Sequence, residues 1–186
     1  LDLVDANLTW APPSANEIPL MEVVYSGYTM FFGSPCDYRQ SERFFRYAQG
    51  QALIDGRQNG WMDAGLFDGT HETKVRYLKD CVRTHAAYGR YLTYGRLLEA
   101  VEPLDPVPVF SEKIFGWNRN EAGTVPAAEA RLWQAEDGTR AIFFANYGDG
   151  RVNFRYRLAG AGARGGSVER TELLEPASVK VLELER

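Results

Sequence analysis

The spacing of hydrophobic and polar positions changes part-way along the chain and divides it into two halves. In the first, residues 18–32 (IPLMEVVYSGYTMFF) form a nearly continuous apolar and aromatic run, opened by Pro19 and closed by Gly33-Ser34-Pro35. Such a run suits a strand covered on both faces, as in a parallel sheet, with Gly27 ending the strand proper near Tyr25. Ser41 is placed to cap a helix with Glu42 in its first turn, and Phe44, Phe45, Ala48, Ala52 and Leu53 recur at helical spacing. Residues 58–63 (QNGWMD) read as a short strand running into a loop. A longer helix follows, with Thr70 as its cap and Val75, Leu78, Val82, Ala86, Gly89 and Leu92 on one stripe. Gly95 suits its C-terminal end.

Pro103, Pro106 and Pro108 then crowd into six residues and mark a linker, because proline can neither continue a helix nor fill a central strand. Beyond it the pattern is β. Residues 132–135 and 140–146 flank the turn Glu136-Asp137-Gly138, and 152–158 alternates without a break. A Gly/Ala-rich loop precedes two last strands, 168–174 and 179–184. The expected fold class is α/β plus all-β: the C-terminal portion of a (β/α)8 barrel over 1–103, then an antiparallel β-sandwich over 104–186.

Composition narrows the function. Across 186 residues, 45% are hydrophobic, enough for a real core, and a net charge of −4 with no basic cluster argues against nucleic acid as a partner. No stretch of some twenty apolar residues is present to span a bilayer. The two cysteines, Cys36 and Cys81, and two histidines, His71 and His85, make no metal-ligand pattern. Cys81 reads as a buried thiol in a helix, with a disulfide to Cys36 the lesser alternative. No nucleotide or nucleophile-elbow fingerprint occurs, so no cofactor is expected. The chain opens Leu1-Asp2-Leu3 without an initiator Met or a signal-like segment, which suggests a cut edge and leaves the compartment open; an extracellular or periplasmic one is compatible.

In a barrel, ligand-contacting residues sit where strands pass into loops. That rule selects Tyr25, with Ser26-Gly27-Tyr28 after it, and then Trp61 and Asp63 as candidate substrate-binding residues. Trp61 could stack on the apolar face of a sugar ring and Asp63 could accept from its hydroxyls. Each has a plainer reading: a packed tyrosine, a tryptophan covering the barrel end, and an aspartate bonding its own backbone. Glu22, set among apolar neighbours, is either functional or a paired structural carboxylate. Glycoside hydrolysis takes two carboxylates. Asp2, Asp5, Glu22 and Asp63 are candidates, but nothing in the spacing picks out a pair.

The segments Asp5 to Trp10, Ile18-Pro19-Leu20 with Val23 to Tyr28, Gln58-Asn59-Gly60-Trp61, and Tyr91 to Leu98 resemble an uncharacterised bacterial family of glycosidase-like barrels. The resemblance covers roughly residues 1 to 104. It implies a fragment of a glycoside hydrolase acting on oligo- or polysaccharide, whose main catalytic carboxylates lie upstream in the same polypeptide. Related barrels often carry His-Asp after the Val-Tyr of a comparable strand, where this chain has Ser26-Gly27. The alternative is a non-catalytic carbohydrate-binding or structural module. If the second half itself bound sugar, exposed aromatics such as Trp117, Trp133 or Tyr147 would carry it, although Trp133 and Phe143 fit the buried stripe better.

Overall fold

The computed structural model describes residues 6–8, 19–36, 38–116, 119–159 and 166–184, and for 6–8, 33–36, 61, 113–116 and 119–122 the backbone alone. Strand β1 (Ala6–Leu8), helix α1 (Leu20–Tyr25), β2 (Met30–Cys36), α2 (Glu42–Ile54) and β3 (Arg57–Met62) come first. A 3-10 turn (Ala64–Phe67), α3 (Glu72–Ala87) and α4 (Gly89–Leu92) follow. The remainder is β4 (Arg96–Ala100), β5 (Val109–Gly116), β6 (Arg119–Pro126), β7 (Ala128–Gln134), β8 (Arg140–Asn146), β9 (Val152–Leu158), β10 (Val168–Leu174) and β11 (Ser178–Leu184).

The expected barrel portion followed by a separate sandwich is not what the chain builds. Among the described residues it is mostly β, with four short helices and several small sheets. β1, β2 and β3 make a small parallel sheet, whereas β11-β8-β7-β4 form an antiparallel one, and β5–β6 and β9–β10 are separate ribbons. β4 lies before the prolines yet pairs with β7 after them, so one sheet draws on both halves. That sheet is covered twice. Ala141, Phe143, Ala145 and Trp133 pack with Phe44, Tyr47, Tyr77 and Cys81 of the helices, while Ile142, Phe144, Ala130 and Leu132 pack with Phe154, Tyr156 and Leu174. The residues between β4 and β5 are likewise tied down: Pro103 bridges Tyr156, and Leu104 N donates to Arg155 O at 2.7 Å. Continuous burial of β8 therefore reflects helices on one face and a ribbon on the other.

The other differences have local causes. Residues 20–25 are a helix, not a strand, and its apolar side chains Leu20, Met21, Val23 and Val24 are exposed. The buried positions are Glu22 and Ser26, four apart on one face, and each is held by a hydrogen bond. Polar pairing thus outweighed apolar continuity there. Phe32 is also exposed, but Phe31 is buried. α3 is rotated relative to the expected stripe: Lys74, Tyr77, Leu78 and Cys81 face inward, while Val82 is exposed. Lys74 goes in because its ammonium donates to Tyr38 O at 2.7 Å and Gln40 O at 2.6 Å. Thr70 does not cap α3; it is bound to Asp68, and the cap position is His71. Ser41 does cap α2, its Oγ accepting from Phe44 N at 3.1 Å. After α2, Gly56 has φ +77° and lies so close to Trp133 that a Cβ would come within 2.5 Å of the indole.

Candidate functional site

The loop after α1, the turn before β4 and the β7–β8 hairpin meet in an open cleft of about 350 Å³. Ser26, Gly27 and Tyr28 come from the first, Tyr94, Gly95 and Arg96 from the second, and Gln134 to Glu136 with Gly138 from the third. The buried Ser26 hydroxyl, which accepts from Leu97 N at 3.0 Å, fastens the first segment to the second. A Cβ on Gly27 would approach Gly95 O at 3.2 Å, so bare backbone meets bare backbone there. Around this floor stand two tyrosines turned to solvent, Tyr28 at 83% and Tyr94 at 64% exposure. Arg96, Gln134 and Glu136 add a guanidinium, an amide and a carboxylate to the lining. Such a mixture can stack a ring with apolar faces and hydrogen-bond its polar rim, and the volume is at the small end of the ~300–1,000 Å³ usual for small-molecule sites.

Of the residues expected to contact substrate, Tyr25 and Asp63 do not come together. Tyr25 ends α1 and precedes the start of β2, whereas Asp63 follows the end of β3. β2 and β3 are parallel, so connectivity sets Tyr25 and Asp63 at opposite ends of the small sheet. Tyr25 is exposed, one residue before the cleft lining begins. Asp63 is exposed and takes its plainer role: it caps the 3-10 turn, Oδ1 accepting from Gly65 N at 2.9 Å. Trp61 lies on β3, and its side chain is outside the described residues. Of the aromatics considered for the second half, Trp133 and Tyr147 are buried at 1% and 0% exposure and present no face to a ligand, while Trp117 lies outside the described residues. Asp2 and Asp5 lie outside as well, as do the side chain of Cys36 and with it any pairing to the buried Cys81.

Glu22 belongs to a second polar assembly, which spacing alone did not reveal. Its carboxylate pairs with Arg57 at 2.5 Å, Arg57 approaches Asp55 at 3.8 Å, and Arg131 donates to Asp55 at 3.0 Å. Arg131 also lies 3.7 Å from Glu129, which accepts from the Tyr147 hydroxyl at 3.0 Å. Glu22, Asp55, Arg57 and Arg131 are all buried. Burial pushes the Asp55 carboxyl up to about 6, against the pull of Arg131 and Arg57. Asp55 and Arg131 are 76 residues apart, so no local motif could announce the pair. Tyr28 was within reach of sequence reasoning as an aromatic beside a glycine, but its partner wall at Tyr94 is set by tertiary contact.

Among the described residues no cluster of His, Cys, Asp or Glu could hold a metal ion, and no helix is long and apolar enough to cross a membrane. No protein-family model, curated protein or solved structure matches the chain.

Proposed function

We propose that this chain is a carbohydrate-recognising part of a glycoside-hydrolase-like protein, and that the Tyr28–Tyr94 cleft takes the sugar. The single observation that carries the reading is the pair of solvent-facing tyrosines on two segments of one cleft, with Arg96, Gln134 and Glu136 beside them. A sugar ring has apolar C–H faces and a hydroxyl edge, and aromatic planes with amide and charged groups answer both. The resemblance to glycosidase-like proteins adds chemistry to the geometry: two of the segments that carry it, Val23 to Tyr28 and Tyr91 to Leu98, are those that meet in the cleft. The reading assigns no catalytic pair to this chain.

The test is a titration of the chain with a panel of neutral oligosaccharides, followed calorimetrically. Saturable binding is expected, with Tyr28→Ala and Tyr94→Ala each weakening it about ten-fold or more. Both side chains are exposed, so the thermal transition should stay in place. Binding that survives both substitutions, or no saturable binding across the panel, overturns the reading.

A further inference from the structure

The four-stranded sheet carries a polar row at one end. Arg96 of β4 stands directly opposite Gln134 of β7, and Gln134 directly opposite Arg140 of β8. Directly opposed residues share a face, so two guanidiniums flank one amide, their Cβ atoms roughly 10 Å apart across two strand spacings. One step further in, the same face is apolar, with Leu132 against Ile142 in the core shared with β9 and β10. Leu184 of β11 closes the row beyond Arg140. Arg96 and Gln134 line the Tyr28–Tyr94 cleft, and Arg140 extends that polar rim by one strand. The cleft floor also places the Arg96 stem: its Cγ lies 3.8 Å from where a Cβ on Gly27 would stand, one residue before Tyr28.

The charges around this row do not cancel. Among the described residues, neither Arg96 nor Arg140 has an ion-pair or hydrogen-bond partner. The neighbouring Arg90 is committed to Glu183 and lies 3.9 Å from Asp137. Glu183 precedes Leu184 and so projects from the opposite face of the sheet. Asp137 accepts from the Thr139 hydroxyl at 2.6 Å. In the described lining of the cleft Glu136 is thus the one carboxylate, and it stands against two unneutralised guanidiniums. A guanidinium donates through a planar fork that fits the paired oxygens of a carboxylate or sulfate.

We propose that the sugar taken by this cleft is an acidic one: Tyr28 and Tyr94 hold the ring, while Arg96 and Arg140 hold its negative group over Gln134. The inference rests on the carbohydrate reading of the cleft and adds its substrate class. The shared chemistry is an oxyanion on the ring, either a uronate carboxylate or a sulfate ester. Glu136 is left to accept from ring hydroxyls.

Calorimetric titration of the full chain with three ligands tests this: a uronate-containing oligosaccharide, the same oligosaccharide with its carboxyl groups reduced to alcohols, and a sulfated form of that neutral product. An acidic ligand should bind about ten-fold or more tightly than the neutral one, and whichever acidic ligand gains identifies the group. Arg96→Gln and Arg140→Gln should each lower that affinity ratio several-fold. On the unaltered chain, the Nε–H resonances of Arg96 and Arg140 should shift with the midpoint that calorimetry gives. Equal affinity for all three ligands, or tighter binding of the neutral one, overturns the proposal and leaves the sugar reading of the cleft in place. A preference that survives both substitutions, or Nε–H signals that stay still while an acidic ligand binds, overturns it as well, because the anion then sits elsewhere. No saturable binding of any of the three overturns both readings.

Discussion

At the scale of single residues, close approach matters more than residue type. Gly50 sits inside α2, where glycine is a poor helix former, yet a Cβ there would run into the Tyr77 hydroxyl and come within 2.6 Å of Tyr147. Gly50→Ala should therefore destabilise the chain by about 1–3 kcal/mol through overpacking, despite gaining roughly 1 kcal/mol in helix propensity. Urea denaturation checks this, and a stabilised variant would contradict the packing argument. Asp63 makes the opposite case, an exposed residue with a local task. Asp63→Ala should cost about 1 kcal/mol with loss of the cap, while Asp63→Asn should cost only a few tenths, since the amide oxygen can still accept from Gly65 N. Equal losses in both variants would show that the charge, and not the cap, is at work.

At the scale of elements, the helix α1 illustrates where sequence patterns stop being informative. Its six residues carry Leu20, Met21, Val23 and Val24 outward and Glu22 inward, so an apolar run read as a buried strand becomes a helix anchored by its one carboxylate. Removing one partner of a buried ion pair leaves the other charge uncompensated. Glu22→Gln is accordingly expected to destabilise the chain by about 3 kcal/mol, and the early loss should be in α1. Amide hydrogen exchange would show residues 23–26 losing protection ahead of α2; a uniform loss would mean that α1 is held by something other than this pair. Elements whose burial follows their own period were legible. α2 begins at its Ser41 cap, and β9 alternates buried and exposed side chains from Val152 to Leu158. α3 was legible as a helix but not in its orientation, because Lys74 is held by carbonyls distant in the sequence and Tyr77 packs into the shared core.

At the scale of the whole molecule, the prolines mark neither the end of the helices, which stop at Leu92, nor a boundary in packing. Trp133, Phe143 and Tyr147 of the later half share a core with Phe44, Tyr47 and Tyr77 of the earlier one. Residues 104–186 expressed alone should therefore lack a cooperative thermal transition and bind a hydrophobic dye, because the helix-facing side of β7 and β8 would lie open. A sharp transition from that piece would show that its strands close a core without the helices.

What the sequence alone determined is local: the Ser41 cap, the alternation of β9 and the hairpin at Gly138. These follow from the steric and hydrogen-bonding preferences of neighbouring residues, which survive any arrangement of the rest. Tertiary structure alone decided which faces are covered, which charges are buried, and which aromatics remain outside. The helices were read correctly at α2 and α3, but nothing in their period says that they lie on the β8 sheet in place of a barrel. Tyr28 and Tyr94, or Asp55 and Arg131, acquire their meaning only from contacts made far along the chain. The physical reason is that burial and desolvation are properties of the packed assembly, whereas the period of a strand or helix is a property of the segment itself.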